Sequence, residues 1–181
     1  MKYQYLVRKL LLLISMSLLC GSISGAYAAT QVVVFEEPSG ENMSKGLAKI
    51  AADSFKSRLN QMNFMVLETH IVSRKVGLNS ITPKRPEVLS SLSKIQATYG
   101  DVLVVFLQSR FYLPANRNAF LQSSATVVSS ATEAQLLSSS IDGNGFLLPR
   151  DCDADCAQIL GTRAARQNSE TLAMRIAKML K

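Results

Sequence analysis

DVLVVFLQ, residues 101–108, holds six consecutive apolar residues, Val102 to Leu107, between a Gly-Asp turn and a polar exit. A run of this length with no polar alternation reads as a β-strand buried on both faces. Upstream, Val88, Leu89, Leu92, Ile95 and Tyr99 mark one helical face that ends at Gly100. Pro86 suits the first turn of that helix, where its missing N–H is unneeded. A polar loop with Gly77, Pro83 and Pro86 separates it from FMVLETHIV (64–72), which reads as a strand. Further back, QVVVFEE (31–37) is a β-branched strand closed by PSG (38–40). Between these strands, Met43, Leu47, Ile50, Ala51, Phe55, Leu59 and Met62 recur at three and four, with Asn42 as candidate N-cap and Asn63 as stop.

Downstream the pattern changes. AFLQSSATVVSS (119–130) and EAQLLSSSI (133–141) are serine-rich, half-apolar segments separated by a short turn. They predict an antiparallel hairpin with one solvated face, its serines lying on that face. DGNG (142–145) breaks the chain. It starts like a calcium loop but lacks the spaced acids and terminal Glu, so it reads as a turn. Cys156, Leu160, Ala164, Asn168, Leu172, Ile176 and Leu180 then step by four. That pattern fits one C-terminal helix, or two if Gly161 divides it and Asn168 caps the second. The expected fold is α/β: a mixed β-sheet of about five strands in the order βαβαβββα, with helices packed on it, in a single domain.

The first 28 residues carry a different signal. Lys2, Arg8 and Lys9 precede the apolar run LLLLISMSLL (10–19), and Ala26-Tyr27-Ala28 supplies a small-residue cleavage site. This is the order of a secretory signal peptide cleaved after Ala28, leaving 29–181 as a periplasmic domain with a C-terminal helix. The run is about half the roughly 20 residues that a membrane-spanning helix needs. The alternative is a lipoprotein anchored through Cys20, although Leu19 is large for the position before an acylated cysteine. The full chain carries a formal charge of +7; without residues 1–28 it has 17 basic and 13 acidic residues, a net +4. The basic residues are scattered, concentrated only at 73–86, and no nucleic-acid motif accompanies them. Nucleic acid is therefore not an expected partner.

The early motifs VVVFEEPSGEN, FMVLE (64–68) and YGDVLVVFLQSRF (99–111) resemble, with their element order, a group of envelope domains. The group comprises the curli-export CsgG proteins, the LpoB-type activators of penicillin-binding proteins and the amino-terminal domain of TolB. In it, a strand ending in a PFxN-like turn precedes a helix and a second strand, and a Gly-Asp pair opens the central strand. Phe35-Glu36-Glu37, Phe64 to Glu68 and Gly100 to Val104 occupy those places. The resemblance covers residues 31–141. The chain departs from the group in lacking a clean lipobox, the hairpin's acid-and-glycine signature and the CsgG membrane hairpins. The resemblance implies a binding module in an envelope assembly.

The chemistry-bearing residues are few. His70, the only histidine, stands two residues after Glu68 on the expected strand 64–72, which puts both on one face. No nucleophile elbow, metalloprotease motif, phosphate loop or dinucleotide fingerprint is present, so an enzyme is not expected. Cys152 and Cys156, in RDCDADCAQI, fit a disulfide in an exported protein. Cβ atoms four apart within a helix lie about 5–6 Å apart, beyond the roughly 3.8 Å of a disulfide. Cys152 must therefore precede the helix, with Asp153 or Asp155 near its start. No metal or cofactor is expected. The sequence thus predicts a non-enzymatic periplasmic binding or scaffold subunit of an envelope assembly, such as secretion, flagellar or cell-wall machinery. Its partners are envelope proteins, with a homo-oligomer left open. The interaction surface is an exposed sheet face or the 109–118 loop, where Phe111, Tyr112 and Leu113 stand among polar neighbours. The alternative is a thiol-redox or copper carrier built on Cys152, Cys156 and His70.

Overall fold

The computed structural model describes residues 29–37, 45–78, 80, 82–112, 118–143 and 145–181. In chain order its elements are β1 (Gln31–Glu36), α1 (Lys45–Gln61), β2 (Met65–Leu67), α2 (Thr69–Val76), α3 (Arg85–Leu89) and α4 (Leu92–Tyr99). They continue with β3 (Val102–Tyr112), β4 (Asn118–Ser129), β5 (Gln135–Asp142), β6 (Phe146–Leu147) and α5 (Ala154–Met179). The strands lie in the order β2-β1-β3-β4-β5, and the short β6 pairs with β4. β1 is parallel to β2 and β3, while β3, β4 and β5 run antiparallel. This is the expected mixed α/β sheet of five strands in one domain.

β3 is the central strand because its two faces are both apolar. Val105 and Leu107 point to one side, where they meet Phe55 and Leu59 of α1 and Leu172, Ala173 and Ile176 of α5. Val102, Val104 and Phe106 point to the other, against Val72, Val76, Val88, Leu92 and Ile95 of α2 to α4. The same alternation in β1 sends Val32 and Val34 to the first layer and Val33 and Phe35 to the second. Asn63, at φ 67°, ends the turn after α1 in the left-handed region that asparagine tolerates. Gly100 leads into β3 at φ 80° and ψ −153°, a conformation in effect restricted to glycine.

Three expectations need correction, and one left open is decided. The strand over 64–72 stops at Leu67, and Thr69 to Val76 is a helix that buries Val72, Ser73 and Val76. The Thr69 hydroxyl donates to the Val34 carbonyl at 2.8 Å, supplying from a side chain what another β2 residue would have supplied from its backbone. The helix over 86–99 is two helices, interrupted at Ser90 and Ser91. The Ser90 hydroxyl donates to the Glu87 carbonyl at 2.9 Å, a local bond that competes with helix continuation. The hairpin serines are not all solvated, since Ser123 and Ser130 are fully buried. The C-terminal pattern is one helix of 26 residues, and Asn168 caps nothing. Gly161 does not break α5; it lies against α1, where a Cβ would stand 3.0 Å from Leu47 Cδ1. The leader (1–28, with Cys20) and the candidate cap Asn42 lie outside the described residues.

Candidate functional site

Cys152 and Cys156 are joined in a disulfide with Cα atoms 5.3 Å apart. Cys152 precedes α5, as the geometry requires. The carboxylate of Asp153 accepts from the Cys156 N–H at 2.8 Å, giving α5 a side-chain N-cap directly beside the bond. The Cys152 N–H donates to the Pro149 carbonyl, closing a tight turn after β6. Reducing the pair is expected to remove about 2 kcal/mol, because so short a loop constrains the unfolded chain little. For a chain of this size that is a fall in Tm of about 4–8 °C. Thermal scans with and without dithiothreitol measure it, and free thiols at both positions in the natively purified protein would remove the staple altogether.

His70 sits on α2, exposed, with Nδ1 3.8 Å from a Glu68 carboxylate oxygen. It lies on the opposite face of the sheet from α5, so the fold does not assemble the Cys152–Cys156–His70 group of the copper-carrier alternative. Among the described residues no cluster of three His, Cys, Asp or Glu side chains is placed to hold a metal ion.

The surface candidates divide. Phe111 is half-buried, packed against Leu47, Ala51, Leu121 and Ala165. Tyr112 is the last residue of β3, in register with Phe120. Leu113 lies outside the described residues. β6 pairs with Asn118 and Ala119 at this same end, and Leu147 there is 71% exposed. Four residues lie between Leu147 and Cys152, so the five steps of chain reach at most about 18 Å. The staple and the hairpin end, far apart in sequence, thus share one pole of the molecule.

Two further features complete the surface. The first is an open half-sheet, which includes the solvated face expected of the β4–β5 hairpin. Among the described residues, α2, α3 and α4 cover β1 and β3, and Val128 of β4 joins their buried cluster. Beyond them, Arg110 on β3, Gln122, Ser124 and Thr126 on β4, and Leu136, Ser138 and Ser140 on β5 form a polar face. Its inner border is Phe106, stacked on Phe35 with ring centroids 6.2 Å apart and roofed by the Arg85 guanidinium at 4.8 Å. Arg85 also meets Glu37 at 3.7 Å.

The second is a buried amide on the other face. Asn168 Nδ2 donates to the Leu121 carbonyl at 2.9 Å, the Ser123 hydroxyl at 3.2 Å and the Ile141 carbonyl at 3.4 Å. Ser123 in turn shares a 3.3 Å hydrogen bond with Ser109. This network ties α5 to β4 and β5 below a cleft of about 380 Å³, lined by Ile141, Asp142, Gly143, Arg163, Asn168 and their neighbours.

Among the described residues no helix is long and apolar enough to cross a membrane. No protein-family model matches the chain, and no curated protein matches it. Solved structures do. The chain is similar to lipoprotein GNA1162 from Neisseria meningitidis, with 16% identity, TM-score 0.46, and coverage of 76% of this chain and 96% of that one. It is similar to the LpoB C-terminal domain from Escherichia coli, with 18% identity, TM-score 0.44, and coverage of 70% and 90%. It is also similar to TolB from Acinetobacter baumannii, with 13% identity, TM-score 0.42, and coverage of 84% of this chain but 28% of that one.

Proposed function

We propose that the protein is a non-enzymatic binding or scaffold subunit of a bacterial envelope assembly. It engages a partner protein through the bare outer face of β3 to β5 and the adjoining end of the β3–β4 hairpin. The observation that carries this reading is the helix layer that stops at β3. A five-stranded sheet with one face covered by two long helices leaves half of the other face to solvent, a surface free for a partner. The composition of that face, with hydroxyls and amides around Leu136, 48% exposed, suits a wet and reversible contact more than an obligate one. The free edge of β5 is less available, since Arg175 from α5 donates to the Ser140 carbonyl there at 3.0 Å. Placement in the envelope rests on the leader pattern of residues 1–28 and on the Cys152–Cys156 pair. Removal of the leader after Ala28 is part of the reading; acylation at Cys20 is the alternative.

Photocrosslinking residues installed at Arg110 and Ser138 are expected to trap the same small set of envelope proteins in living cells. The same probe at Asp53, exposed on α1, should not trap them. Equal capture from all three positions, or from none, would overturn the assignment of this face.

A further inference from the structure

We infer that Met174 is an oxidation site whose sulfoxide oxygen is received by the guanidinium of Arg58, so that oxidation tightens the contact between α1 and α5. This site lies on the opposite face of the sheet from the proposed docking surface and is independent of it.

Arg58 lacks the acceptor that its shape calls for. It stands on α1 and reaches across to α5. Its Nη1 donates to Gln61 Oε1 at 2.7 Å, and its Nη2 donates to the Met174 thioether at 3.1 Å. Its Nε is buried and has no hydrogen-bond partner. Among the described residues no carboxylate pairs with Arg58. Nη2–H and Nε–H lie side by side on one edge of the planar group, a fork suited to oxygen acceptors. Here that edge meets a single sulfur, which is a weak acceptor. A buried donor left unpaired is uncommon and destabilising.

Burial selects the acceptor. Nε is closed to solvent, so a dissolved anion does not reach the second donor of the fork. Met174 already touches the first donor, and its sulfur is an atom to which oxygen can be added. The Met174 side chain is half-buried, within reach of a small hydroperoxide. Arg58 holds one lone pair of the sulfur and leaves the other to attack the nearer oxygen of hydrogen peroxide. An S–O bond forms and the O–O bond breaks. The sulfur gives up two electrons, and the transferred oxygen's proton passes to the departing hydroxide, which leaves as water. Rotation about the bonds of the unbranched side chain then turns the new oxygen toward Nη2 and Nε. A sulfoxide usually loosens apolar packing. The unfilled fork reverses the sign at this position, because the oxygen gains charge-assisted bonds there.

The test is a hydrogen peroxide titration of the purified full chain, with the oxidised positions read by peptide mass mapping and stability read by thermal scans. Met65 and Met179, 52% and 55% exposed, react in every variant and are subtracted by comparison with Met174→Leu, a swap of similar volume without sulfur. Oxygen at Met174 is expected to raise Tm by about 2–4 °C relative to that variant. Arg58→Lys keeps the charge but not the fork, and there oxidation should lower Tm. In ¹⁵N-labelled protein the Arg58 Nε–H signal should move downfield as the sulfoxide forms. Four results would each overturn the assignment: no oxygen at Met174 once Met65 and Met179 are fully converted, no rise in Tm on its oxidation, an equal rise in Arg58→Lys, or an unmoved Nε–H signal.

Discussion

Phe106→Ala is expected to lower the unfolding free energy by about 3–5 kcal/mol, the range for truncating a fully buried phenylalanine. Phe106 is 1% exposed at the middle of the central strand. It is in register with Phe35 on one side and Thr126 on the other. Its loss removes the partner of the Phe35 ring and leaves the Arg85 guanidinium over an empty space. Relaxation is limited, because β3 is held by backbone bonds to β1 and β4 and cannot move in to fill the void. A urea melt should show a lower midpoint with the slope unchanged. A change below about 1 kcal/mol would mean that the ring is not the anchor between the covered and bare halves of the outer face.

Asn168→Ala is expected to cost about 1–3 kcal/mol, since it strips the Nδ2 donor from buried partners. The Leu121 carbonyl keeps the Gly143 N–H at 2.7 Å and Ile141 stays in register with Ser123 in the ladder, so the loss falls mainly on the Ser123–Ser109 hydroxyl pair. Asn168→Asp separates polarity from packing. The carboxyl replaces a donor among oxygen acceptors in a buried place, which raises its folded-state pKa above the unfolded value of about 3.9. With the folded pKa raised, the unfolded state releases its proton first. Stability of that variant should be greatest below the unfolded pKa and fall as pH rises through the folded one. Melts of both variants at pH 3.5 and 7 check this: the alanine variant should track the unmodified protein, and the aspartate variant should lose stability between the two pH values. Parallel behaviour of the two variants would mean that the site is held by volume and not by the amide.

The elements that hydrophobic periodicity marks were legible, and for a simple reason. Val102 to Leu107 is apolar at every position, so it must lie between two layers. Phe55 and Leu59 recur at helical spacing on the face that meets it. Segments whose pattern fits two structures were not legible. FMVLETHIV has strand composition, yet Thr69 to Val76 turns helical because Val72 and Val76 find a core only at helical spacing. The same ambiguity hid the break at Ser90 and Ser91, where a side-chain bond displaced a helical one.

Serine, asparagine and glycine mark the limit of such reading, because their role depends on what stands opposite. Ser123 and Ser138 look alike in a hairpin of alternating residues. Ser123 is buried under α5, while Ser138 is exposed, since among the described residues no helix reaches β5 on its side. Spacing left open whether Gly161 and Asn168 divide the C-terminal helix; in the single helix that forms, Asn168 is a buried tie and Gly161 a contact with Leu47. Local pattern, by itself, determined that β3 is the core strand, that helices cover it and that Cys152 precedes the last helix. Each of these follows from spacing along a few residues. Only the tertiary structure decided which half of the sheet is left bare and where the Asn168 amide points. Those depend on helix length and crossing position relative to the strands, which no single segment encodes.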